Sequence, residues 1–163
     1  MPIEEIDLKI EKKKLPETVK NYLIEANLRI DELFETEKNR KVPRFIPCND
    51  ELLYHWVSAI KDSDLCLGKV YCEWGSGYGV GTCLASLLGY ESYGIEIEPS
   101  LIEASRKLAE DSNISVTIIE RDYMPEGFEC YDGSGGAELI RPENYTYRES
   151  NRSRPSYEGM DAD

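Results

Sequence analysis

The chain has 163 residues, and its 32 acidic side chains outnumber 19 basic ones to give a formal net charge of −13. That length suits one domain with a modest core, and the acidic excess opposes non-specific binding to nucleic acid or anionic membrane. Nothing reads as a signal peptide or a membrane span, so the cytoplasm is the expected compartment and small molecules or proteins are the expected partners.

Residues 1–41 are dense in Lys and Glu. Pro16 suits the first turn of a helix, and Val19, Leu23, Ala26, Ile30, Leu33 and Phe34 recur at spacings of three and four. That period predicts one apolar helix face packed on the rest of the domain, rather than a dimer arm or a lid. Lys12, Lys13 and Lys14 sit between Glu11 and Glu17 and read as a solvated turn. Two prolines, Pro43 and Pro47, exclude a regular helix over 42–47. Asn49 or Asp50 can cap the next helix, which runs to about Ile60 and carries His55 at a core edge.

Lys69-Val70-Tyr71-Cys72 is a short apolar run and predicts a buried strand. Glu73-Trp74-Gly75-Ser76-Gly77-Tyr78-Gly79 follows, and the apolar segment Val80 to Leu88 has the length of a short helix. A second strand is expected over Tyr93–Ile97, ending on Glu96. Pro99 opens a helix to about Asp111 whose Leu101, Ala104, Ser105, Leu108 and Ala109 share a face. A third strand is expected over Val116–Ile119. Residues 129–163 are rich in Gly, Ser, Arg, Glu and Tyr without an apolar period, and read as a long loop or disordered tail. The chain thus divides into a helical extension (1–41), an α/β region (42–128) and the tail (129–163).

The five cysteines form no C-x-x-C pair, and with a single histidine no zinc site is expected. Cys72 and Cys83 are expected as small core residues.

Strand, glycine turn, helix, strand and acid, in that order, describe a nucleoside site at the carboxyl edge of a parallel sheet. The dinucleotide fingerprint G-x-G-x-x-G/A fails, because its last position falls on Val80, Thr82 or Leu84 from the three possible starts. The pattern is acid-x-G-x-G-x-G, with Glu73 as the acid. A carboxylate there repels a pyrophosphate and favours a cation, such as the sulfonium and ammonium of S-adenosylmethionine.

From about Lys69 to Asp122 the chain resembles the class I S-adenosylmethionine-dependent methyltransferases. The resemblance implies a Rossmann-like sheet and a methyl transfer to a small-molecule or protein acceptor. It assigns Glu73 to the methionine end of the cofactor, and Gly75, Gly77 and Gly79 to the loop beneath it. Glu96 is implied as the ribose acid, Ile97 and Glu98 as neighbours of the adenine, and Asp122 as a partner of its amine. Phe45, Asn49 and Asp50 lie where that family brings a helix start near the cofactor.

The family's sheet has further strands, with one beside the first, where this chain shows three. The expectation is therefore an incomplete sheet, as in a truncated or split chain, with an open edge that favours self-association or a second chain. A rival reading is a degenerate, non-catalytic binding module.

Overall fold

The computed structural model describes residues 8–36, 45, 47–63, 65, 66 and 68–122. The expected tail over 129–163 lies outside the described residues. Among the described residues, seven elements run in the order α1 (Glu17–Thr36), α2 (Asp50–Asp62), β1 (Val70–Trp74), α3 (Val80–Leu87), β2 (Glu91–Glu96), α4 (Pro99–Asp111) and β3 (Thr117–Glu120). The three strands form one parallel sheet in the order β1-β2-β3. The chain is an α/β protein with a three-stranded parallel sheet and flanking helices, preceded by a helical segment.

Register places Glu73 beside Gly94, Trp74 beside Ile95, and Ile95 beside Ile119. Strand alternation then sorts the side chains. Ser92, Gly94, Glu96 and Ile118 are buried on the face that carries the helices. Gly94 has to be glycine there, since a Cβ would lie 2.7 Å from Ser76 Oγ and 2.9 Å from Thr82 Oγ1. Both crossover helices cover this same face, because a Cβ on Gly79, just before α3, would meet Ser105 of α4 and Ile118 of β3.

The core lies between the helices and this face. Val80, Cys83 and Leu84 of α3 meet Leu101, Leu108 and Ala109 of α4, and α1 adds Val19, Tyr22, Leu23, Ala26 and Ile30. The N-terminal helix is thus built into the core, as its apolar period predicts. Arg29 ties it down at the surface, donating from Nη1 to Asp111 Oδ2 at 2.8 Å and from Nε to Glu25 Oε1 at 2.7 Å. A smaller cluster of Val57, Ala85 and Leu88 seats α2 against α3.

The opposite face differs from expectation. Val70, Cys72 and Trp74 point to it and are exposed, with Val70 at 62% and Trp74 at 71%. Cys72 is therefore not a core residue. The apolar run predicts a buried strand, but Val70, Cys72 and Trp74 are exposed on this second side. Cys83, on α3, is buried as expected.

Candidate functional site

The turn from β1 to α3 reverses the chain in five residues, and three of them have left-handed backbones. Gly75, Gly77 and Gly79 have φ of 68°, 54° and 74°, a region costing other residues about 1–2 kcal/mol each. Ser76 N donates to Ile95 O at 2.9 Å, and Gly79 N donates to Ser76 O at 2.7 Å. These bonds fold the turn back over the end of β2.

The space at Gly77 is as restrictive as its dihedral. A Cβ there would lie 2.7 Å from the Phe45 ring, which stacks on Phe34 of α1 with centroids 5.6 Å apart. Phe45 therefore packs directly on the glycine turn. Asn49 does what its type suggests: its Oδ1 accepts from Leu52 N at 3.0 Å and caps α2. Asp50 is buried, and its Oδ1 accepts from the Cys48 thiol at 3.0 Å.

Glu96 closes β2 and organises its surroundings. One oxygen, Oε2, accepts from Gly77 N at 2.7 Å. The other accepts from Ile97 N at 2.8 Å and Glu98 N at 2.9 Å. Two acceptor positions on Oε1 are thus used, and Oε2 retains one. Ile97 beyond it is 63% exposed. Glu98 caps α4, accepting from Ser100 Oγ at 3.0 Å. Arg121 N donates to Glu96 O at 2.9 Å, which sets exposed Asp122 just past the end of the β2–β3 ladder.

Glu73 turns under the start of α3. Its Oε2 accepts from the Thr82 hydroxyl at 2.7 Å. Gly79 precedes α3 and offers no side-chain cap, so this carboxylate, borrowed from the neighbouring strand, satisfies the helix start instead. Burial pushes the Glu73 carboxyl above its ordinary range; the Thr82 hydroxyl and backbone N–H pull it down, and nearby Asp50 pushes it up again. Gly81 makes room for it, because a Cβ there would lie 2.5 Å from Glu73 Oε1.

The structure thus joins Glu73, Gly77, Gly79 and Glu96 in one network, with Gly75 in the same turn and Ile97 and Asp122 at its strand-end rim. Sequence reasoning overlooked Thr82, Ser76 and Gly81. A glycine in the first turn of an otherwise apolar helix was the available signal for Gly81, since it marks a close approach. Ser76 Oγ is buried against Gly94 with no hydrogen-bond partner among the described residues. Among those residues, too, no group of His, Cys, Asp and Glu could hold a metal ion, and no helix is long and apolar enough to cross a membrane.

Fold and site together define a three-stranded parallel α/β unit whose glycine turn and two strand carboxylates meet at the carboxyl edge. No family model and no curated protein matches the chain. Among solved structures it is similar to magnesium protoporphyrin IX methyltransferase from Synechocystis PCC 6803. With S-adenosylmethionine bound to that enzyme, the likeness has 16% identity and a TM-score of 0.39, covering 66% of this chain and 55% of that one. With S-adenosylhomocysteine bound to it, the values are 16%, 0.38, 64% and 52%. A structure concerned with conversion of a disulfide bond into a thioacetal group in echinomycin biosynthesis gives 22% identity and a TM-score of 0.35. It covers 39% of this chain and 26% of that one. The chain spans about half the length of the Synechocystis enzyme and about a quarter of the other. At such TM-scores the likenesses carry no functional weight, and the reading below rests on the residues themselves.

Proposed function

We propose that this chain binds S-adenosylmethionine at the carboxyl edge of its sheet and belongs to a cytoplasmic methyltransferase acting on a small-molecule or protein acceptor. One observation carries the reading: Glu96 stands at the end of β2 with its carboxylate pinned to the glycine turn and one acceptor position to spare. A strand-end acid so placed suits a ribose diol. The turn fits the group as well, since its left-handed glycines leave no Cβ between backbone and ligand.

Each remaining residue has a role in that reading. Gly75, Gly77 and Gly79 pass beneath the ligand. Ile97, exposed beside Glu96, offers an apolar surface to the adenine, and Asp122 accepts from its amine. Glu73 contributes negative charge on the helix side of the turn, which suits a cation and opposes a pyrophosphate. When bound, the cofactor supplies an electrophilic methyl group. The chain's contribution is positioning, holding that group in line with an acceptor; Glu73 and Glu96 bind and do not react. The organisation that follows is a helical segment (1–41), a cofactor-binding region (42–128) and a further segment (129–163).

Calorimetric titration with S-adenosylhomocysteine, run beside NADH, tests the proposal. Saturable binding of the homocysteine nucleoside alone is expected. No binding by a chain with cooperative unfolding, or binding of NADH in its place, overturns it.

A further inference from the structure

Helix α2 turns two sides to two neighbours. Leu53 and Val57, one turn apart, face α3, where both belong to the cluster of Ala85 and Leu88. At about 100° per residue, Tyr54, His55, Ser58, Ala59 and Asp62 fall on the opposite side. The chain before α1 supplies a facing wall there, with Leu8, Lys9, Lys14 and Pro16, and a cleft of about 390 Å³ lies between the two. That volume is in the range of small-molecule sites.

Two independent observations point to an occupant. His55 is only 4% exposed, and its Nε2 has no hydrogen-bond partner among the described residues. Glu51 Oε1 stands 3.5 Å away, an ion pair only for a protonated imidazole. A buried polar atom left unpaired is costly and calls for a partner. The second observation is charge. Lys9, Lys13 and Lys14 line the cleft against two acids, Glu11 and Asp62, in a chain whose net charge is −13. Lys13 is drawn to Glu11 at 4.0 Å, whereas Lys9 and Lys14 have no ion pair among the described residues.

A surplus of one positive charge suits a monoanion better than a phosphate dianion. Tyr54 and Pro16 in the walls suit an apolar body behind the charged head. We propose that this cleft is a second binding site, taking a small organic carboxylate with its head among Lys9, Lys14 and His55 and its body against Tyr54 and Pro16. Asp62, which ends α2, keeps the head away from that end of the cleft. The site lies on the side of α2 turned away from α3, so it stands independently of S-adenosylmethionine binding at the carboxyl edge.

The chain has a single histidine, so the imidazole Hε1 signal in a proton–carbon correlation spectrum of the full chain reports on the cleft without ambiguity. Benzoate at constant pH is expected to shift that signal saturably. Benzylammonium, an aromatic ring with the opposite charge, is expected to leave it in place, and inorganic phosphate to bind at least threefold more weakly than benzoate. Lys9→Gln/Lys14→Gln alters two exposed side chains and is expected to weaken benzoate binding at least threefold, while exposed Lys107→Gln on α4 leaves it unchanged. No saturable shift, an equal response to benzylammonium, phosphate binding as tight as benzoate, or equal affinities in the two lysine variants overturns the proposal.

Discussion

Replacing Glu96 separates what its carboxylate does for the fold from what it does for a ligand. In Glu96→Ala, the buried Gly77 N–H loses its acceptor at 2.7 Å, and an orphaned buried donor costs about 1–3 kcal/mol. The Ile97 and Glu98 N–H groups lose theirs as well. They lie nearer solvent, so water replaces the acceptor and the loss is about 0.5 kcal/mol each. The expected total is roughly 2–4 kcal/mol. Glu96→Gln keeps the volume but turns one acceptor into a donor. It either faces Gly77 N–H with an amide or gives up the pair at Ile97 and Glu98, for a loss of about 1–3 kcal/mol. Urea unfolding of the three proteins gives the stabilities, and calorimetry with S-adenosylhomocysteine gives the affinities. Both variants should bind at least tenfold more weakly, which is about 1.4 kcal/mol. If Glu96→Gln unfolds within about 0.5 kcal/mol of the parent, a spread expected of surface changes, the pinning argument is wrong. If both variants bind as the parent does, the ribose assignment is wrong.

Three further outcomes follow from the site. Gly81→Ala places a Cβ 2.5 Å from Glu73 Oε1 and 2.7 Å from Leu53 Cδ2; the overpacking costs about 1–3 kcal/mol, matches or exceeds a helix-propensity gain near 1 kcal/mol, and should lower Tm, so a raised Tm contradicts the close approach. Asn49→Ala removes the cap on Leu52 N and should cost about 1 kcal/mol, which chemical denaturation will show or exclude. Glu73 has a folded-state pKa above the ordinary 4.5, so from 4.5 up to that raised value the folded chain binds more protons than the unfolded one. Stability then falls as pH rises through that window, and Glu73→Gln should remove the fall; parallel stability–pH curves for the two proteins would contradict it.

Much of the architecture was legible because it is written in local periods. The α1 stripe, the Asn49 cap and the Pro99 start each depend on neighbours within one or two helical turns, and each stands where its pattern put it. Strand limits shifted by one or two residues; β2 begins at Glu91 rather than Tyr93 because Glu91 N already pairs with Lys69 O. Cys72 was misread for a different reason. A strand's alternation sorts side chains onto two faces, but it does not say which face is covered. The partners of Glu73 were equally illegible. That its carboxylate would reach Thr82 depends on the turn bringing the start of α3 back beside β1, and no pairwise spacing encodes that. Phe45 lay in a proline-interrupted stretch, and its contact with Gly77 depends on tertiary packing alone.

The tie between Arg29 and Asp111 spans 82 positions of the chain, and that separation has a consequence during biosynthesis. The stripe of α1 shares its core with residues of α3 and α4, so α1 leaves the ribosome ahead of both and waits for them before its apolar side has a home. At about 5–20 residues per second, the wait is roughly 4–16 s. Through that interval Val19, Leu23, Ala26 and Ile30 are available to any chaperone near the exit tunnel. Slowing translation between α1 and α4 lengthens that exposure, while leaving the finished protein unchanged.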